Sequence, residues 1–218
     1  MAKSLKDQNN WKLWLIIAAN TLFFYGVLIS NHIGIDGLKA VLSEVKTLVP
    51  VSIAGIVATV INSLPSSTTK ARIVYLRWHD ALPGHRAFSV YAPRDPRINM
   101  ERLARLFKGR LPVGARDQNS EWYKLFRSVE NDPKVYSVHR DSLLLRDYTT
   151  LSVLFVAIYG LGGFCFFATL GTAALYLLLL LIQFLVVRQA ASNCGIRMVT
   201  NVLAIKTSTN AKLPSSPG

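Results

Sequence analysis

Apolar and polar positions are sorted along this chain into long blocks. The longest, residues 148–187, holds forty residues without one Asp, Glu, Lys, Arg or His. A helix crosses a hydrocarbon core of about 30 Å with about 20 residues, so this run fits two crossings and a tight turn. The predicted helices are 149–168 and 171–187, turning near Thr169-Leu170-Gly171. An earlier apolar block, 13–30, opens beside Trp11 and Trp14, where an interfacial aromatic belt would sit. No small-x-small cleavage pattern follows Ser30, so this block is expected to remain as an anchor. A further block, 47–64, is rich in Val and Ile, carries Pro50 and Gly55, and stops at Pro65-Ser66-Ser67.

Between the two predicted hairpins the pattern changes period. Met100, Leu103, Ala104 and Phe107 fall at i, i+3, i+4 and i+7, one face of a helix entered at Asp95-Pro96 and left before Gly109. A second helix is predicted over 120–130, with Trp122, Leu125, Phe126 and Val129 as its apolar face. Residues 73–78 and 88–91, dominated by β-branched and aromatic types, are predicted as short strands, and 135–138 as a third strand or a helical turn. The expected fold is a mostly α membrane protein in which two transmembrane hairpins flank a small cytoplasmic α+β insert. Its predicted parts are an amino-terminal stretch (1–12), a first hairpin (13–64), a basic domain (65–147), a second hairpin (148–187) and a tail (188–218). In that tail Ile196, Val199 and Leu203 keep helical spacing, which predicts an interfacial helix; from Thr207 onward Ser, Thr, Asn and Pro predict disorder.

Charge orients these elements. The formal net charge is +13, and its location carries the information. Residues 65–147 hold 16 basic and nine acidic side chains, a net +7; the tail adds +4 and the first twelve residues +2. The connection 31–46 balances Lys39 and Lys46 against Asp36 and Glu44. Positive charge stays on the cytoplasmic side, so both termini and the insert are expected in the cytoplasm, with four passes through the cell inner membrane.

Candidate chemistry is concentrated in the insert. His79, Asp80 and His85, with His139 and Asp141 further on, invite a metal, but the two histidines straddle Pro83-Gly84 at a spacing no zinc pattern uses. The turn itself accounts for them more simply. Arg86, Arg94, Arg97, Arg102 and Arg105 surround two proline-containing turns, with Trp78, Phe88 and Tyr91 nearby. Guanidinium forks pair with phosphates and stack on flat rings, which points to a nucleotide or phospholipid head group at His85, Arg86, Arg94 and Arg97. The competing reading is juxtamembrane basicity that fixes topology and holds anionic lipid. No nucleic-acid module is present, and neither a P-loop nor a GxSxG, HExxH or GxGxxG motif occurs, so no enzyme and no cofactor are expected. The apolar blocks hold no ionisable group; Asn20, Asn62 and Gln183 are their strongest polar residues, so a polar path would need several copies. Cys165 and Cys194 lack CxxC spacing and are expected to serve packing.

One set of residues carries a resemblance: Arg77-Trp78, Pro83-Gly84-His85-Arg86-Ala87-Phe88, Asp95-Pro96-Arg97-Ile98, Gln118-Asn119, Trp122-Tyr123, His139-Arg140 and Arg146-Asp147. With these ahead of the third span, the chain resembles small bacterial membrane proteins of undefined activity. Its layout is similar to four-transmembrane effectors of nucleotide-signalled anti-phage defence. That resemblance implies an oligomer that permeabilises the membrane when its basic domain receives a nucleotide signal. The alternative is a non-catalytic scaffold that docks a cytoplasmic partner protein.

Overall fold

Every regular element among the described residues, 5–30 and 64–208 of the computed structural model, is helical. In order they are α1 (Leu5–Ser30), α2 (Ser67–Tyr75), three short turns at Pro83–Arg86, Ala87–Tyr91 and Ala92–Arg94, α3 (Met100–Leu106), α4 (Ala115–Arg127), α5 (Pro133–Phe155), a π-helical turn (Val156–Gly160), α6 (Leu161–Phe166) and α7 (Leu170–Ser208). The chain divides into two units: Met1–Val74 with Leu143–Ala191, and Tyr75–Ser142 with Ser192–Gly218.

Three stretches, Gln8–Leu28, Pro133–Phe166 and Leu170–Ser208, are long and apolar enough to cross a membrane. The protein is therefore a mostly α, membrane-embedded chain. The predicted crossing at 47–64 lies, apart from Leu64, outside the described residues, so the described chain supports three spans where four were expected. The second hairpin turns where predicted: α6 ends at Phe166 and α7 begins at Leu170. With 39 residues α7 is about 58 Å long, twice the hydrocarbon thickness, and Arg188 marks where its ionisable-free part ends.

The strands predicted at 73–78 and 88–91 do not form: 73–75 end α2, 76–78 leave it as a turn, and 88–91 is a helical turn; at 135–138 the helical alternative holds. At 73–78, Ser66 caps α2 by accepting the Thr69 N–H at 3.1 Å, and Ala71 and Val74 bury one helical face. At 88–91 the apolar residues run together instead of alternating; Ala87, Phe88, Tyr91 and Ala92 share a helical side and are all buried. At 135–138 the chain has already entered α5, started by Pro133 and by Asp132, whose carboxylate accepts the Lys134 N–H at 2.9 Å. Asp95-Pro96 does not start α3. Asn99 does, accepting the Arg102 N–H at 2.9 Å, and Gly109 with φ +83° follows the helix end as expected. The second insert helix begins five residues before its predicted start, at Ala115, where Asp117 favours the amino-terminal turn.

In the first unit Leu151, Phe155, Tyr159, Phe167, Tyr176 and Leu180 form a core that includes Ile17 of α1. Among the described residues the buried Tyr176 hydroxyl of this core has no hydrogen-bond partner, whereas several neighbouring polar groups are paired. The Thr21 and Tyr159 hydroxyls bond at 2.7 Å, Gln183 donates to the Tyr148 hydroxyl at 2.8 Å, and Asn20 donates to the Ile16 carbonyl at 2.9 Å. Gln183 and Thr21 thus act as helix–helix bonds, the ordinary use of polar groups in a span. The π-helical turn places Gly160 against Leu177, whose Cδ1 would lie 2.7 Å from an added Cβ.

The second unit has a separate core of Phe88, Tyr91, Leu103, Trp122 and Phe126 with Val199, Val202 and Leu203 of α7. The last three are fully buried, so the segment predicted as an interfacial helix is a core helix of this unit. Thr207, placed at the start of the predicted disordered tail, is also buried, and its hydroxyl donates to Leu203 O at 3.0 Å. Residues 209–218 lie outside the described residues. Cys194 is buried as expected, whereas Cys165 is exposed on α6.

Candidate functional site

The turns between α2 and α3 are held in place by one buried amide. Gln118 of α4 accepts the Phe88 N–H, the Ser89 N–H and the Ser89 hydroxyl through Oε1, each at 3.1 Å. Its Nε2 donates to the Val113 carbonyl at 2.9 Å. Two of the three donors on that oxygen are backbone N–H groups at the start of the π-helical turn, which Gln118 thereby satisfies. Gly84 lies where a Cβ would run into the Asn119 side chain, which accounts for the glycine after Pro83.

That scaffold sets out an open cleft of about 550 Å³. One wall comes from the turns, with Tyr91, Arg94, Asp95, Pro96 and Arg97; the other comes from α7, with Asn193, Ile196, Arg197 and Thr200. Three arginines against one aspartate leave two net positive charges on the cleft. Tyr91, Pro96 and Ile196 give it apolar patches, and Asn193 and Thr200 supply polar groups.

The arginines are not equivalent. Arg97 is clamped: Nε and Nη2 donate to the Asp95 carboxylate at 2.9 and 2.6 Å. Nη1 reaches Asn201 Oδ1 at 3.0 Å and Nη2 reaches Thr200 Oγ1 at 3.2 Å. The side-chain bond from Arg97 holds the Asp95 carboxyl down to about 2, against the opposing effect of burial, while Asp95 pushes the guanidinium upward. Arg97 therefore ties the turn to α7, and its charge is matched before any ligand arrives. Arg94 is exposed on the rim, and among the described residues no hydrogen bond or ion pair engages its guanidinium.

His85 and Arg86, also expected in the site, do not line this cleft. Arg86 donates to the Asp80 carbonyl at 3.2 Å; His85 Nδ1 lies 3.2 Å from the Leu82 carbonyl and its Nε2 lies 3.8 Å from the Asp80 carboxylate. His139 packs edge-on to Phe126 at 5.0 Å between ring centres. Among the described residues no three His, Cys, Asp or Glu side chains converge to hold a metal.

No family model, curated protein or solved structure matches this chain. Arg197, Asn193 and Thr200 were not anticipated, because α7 beyond Arg188 looked like a membrane-surface segment. The available signal was the apolar spacing of Ile196, Val199 and Leu203, which leaves Arg197 and Thr200 on the flank of a buried face. With three arginines in its lining and its carboxylate held by Arg97, the cleft is equipped to bind an anion.

Proposed function

We propose that this chain is a non-enzymatic membrane effector whose basic domain receives a phosphate-bearing signal and whose spans act as an oligomer on the membrane. The observation that carries the reading is Arg94, exposed and unengaged among the described residues, which lines the same cleft as Arg197 beside apolar patches. Two guanidinium forks suit a phosphate, and Tyr91, Pro96 and Ile196 suit the apolar part of a nucleotide or lipid phosphate. The spans carry no ionisable group across 148–187, so one copy cannot enclose a polar path and the output requires a homo-oligomer or disruption of the bilayer. Residual basic charge keeps the domain on anionic lipid of the cytoplasmic leaflet, with both termini on that side of the inner membrane and a fourth crossing at 47–64. A nucleotide signal in anti-phage defence is the setting that the layout favours.

Membrane potential and propidium uptake in a bacterial host, followed as expression is induced, test this reading. Depolarisation by the wild type that is lost in Arg94→Ala/Arg197→Ala supports it. An intact potential at high expression favours the second reading, a scaffold that docks a cytoplasmic protein. That alternative draws on Leu106, Val113 and Tyr123, which are exposed on the second unit.

A further inference from the structure

Arg188 closes the stretch of α7 without Asp, Glu, Lys, Arg or His, the feature read as the polar boundary of the span, and its Nη1 donates to the Val74 carbonyl at 3.3 Å. Val74, in the last turn of α2, therefore lies at the depth of an arginine that marks the polar boundary. Leu76 and Trp78 follow two and four residues later, within about 7 Å and about 14 Å of Val74 by chain length alone.

Both side chains are held outward. Leu76 is 66% exposed and Trp78 73% exposed, while the neighbouring Val74 and Ala81 are buried. Leu76 also adopts φ 49°, a left-handed conformation that Gly or Asn takes with less strain. Neither backbone economy nor packing within the unit explains a leucine there. In sequence Arg77 lies between the pair and Arg86 follows, with Asp80 the only acid between the two arginines; Arg77 Nη1 donates to the Tyr91 hydroxyl at 3.4 Å and Arg86 Nη1 to the Asp80 carbonyl at 3.2 Å. An aliphatic and an indole side chain flanked by arginines match the boundary between head groups and acyl chains, where tryptophan and snorkelling arginine are favoured.

We propose that Leu76 and Trp78 form a membrane-surface anchor that inserts at the head-group–acyl boundary of the bilayer the spans cross. The anchor rests on the reading of this chain as membrane-spanning, and does not depend on what the arginine cleft binds. Its partner is lipid, and its effect is to hold the turn that follows α2 against the surface.

The test uses the full chain in nanodiscs of mixed zwitterionic and anionic lipid, with plain or brominated acyl chains. Tryptophan emission of the wild type is compared with that of Trp78→Phe, so the difference reports Trp78 alone; its exposure makes the substitution mild. The difference emission is expected to lose most of its intensity in brominated lipid and to resist aqueous iodide. Quenching by iodide with no response to bromine overturns the anchor. The emission left in Trp78→Phe includes Trp11 and Trp14 of α1 and serves as the control. Bromine quenching of that emission without quenching of Trp78 removes the anchor and leaves the membrane reading intact; no bromine quenching of any tryptophan removes both.

Discussion

Arg94 and Arg97 stand three residues apart on one turn, and their partners separate their roles. The Arg97 guanidinium makes four hydrogen bonds to three side chains, Asp95, Asn201 and Thr200, so its removal should be felt as stability. Its side chain is half exposed, which limits a clamp of this kind to about 1 kcal/mol. Arg97→Ala and Asp95→Asn are each expected to lower the melting temperature of the purified chain at neutral pH by a similar amount. Because the Asp95 carboxyl is held down to about 2 from 3.8, the clamp is fully present above 3.8 and is lost as pH falls through about 2. The gap between wild type and Asp95→Asn should therefore close over that window, followed by thermal unfolding at stepped pH. A second ion pair sits in the other unit. Lys70 Nζ and Asp147 Oδ1 meet at 2.8 Å, both side chains about 5% exposed, and Arg146 lies 3.4 Å from the same carboxylate. Asp147→Asn strands a buried ammonium and should cost about 3–5 kcal/mol. Lys70→Met should cost less, since Arg146 still faces Asp147, and Lys70→Met/Asp147→Leu should return near wild-type stability. Equal losses in the two single variants, read from thermal unfolding, would contradict this account.

At the scale of elements, helices whose apolar face repeats every three or four residues were legible in the sequence. Trp122 and Phe126 on α4 and Leu103 on α3 are buried as their spacing predicts. Short apolar runs were not legible, because four to six β-branched or aromatic residues fit a strand or a buried turn equally. Capping decides two of them, Ser66 starting α2 and Asp132 starting α5, whereas the turn at 88–91 has no side-chain cap. The site was half legible. A crowd of arginines marks the turn, whereas Thr200, 103 residues from Arg97, becomes its partner only through the fold. The close approach of α7 to the end of α2 shows what such long-range placement requires. A Cβ on Gly195 would run into the Tyr75 hydroxyl, with the ring carbon Cζ at 3.2 Å. Gly195→Ala is expected to destabilise the second unit, and Gly195→Ala/Tyr75→Phe to recover part of the loss by removing the colliding oxygen. Melting of both variants beside Tyr75→Phe alone separates that recovery from the loss of the hydroxyl's own contacts.

For the whole molecule, charge and crossing number must agree. On the proposed topology the second hairpin crosses twice, which puts the basic domain before it and the basic residues after Arg188 on one side, carrying +7 and +4. The first twelve residues carry +2, and α1 alone would place them on the opposite side from that domain. Moving basic residues outward opposes the bias that sets topology. The proposed fourth crossing at 47–64, an apolar stretch of the sequence, would resolve the conflict. Green fluorescent protein, which becomes fluorescent only on the cytoplasmic side when exported by the general pathway, is therefore expected to light at both ends of the chain. Alkaline phosphatase, active only outside, should be active when inserted near residue 40, in the charge-balanced connection. A dark amino-terminal fusion beside a bright carboxy-terminal one would mean three crossings and a basic amino terminus held outside, against its charge. Replacing Lys3, Lys6 and Lys12 with Gln discriminates further: with four crossings fixed by the larger basic domain, the amino terminus should stay inside.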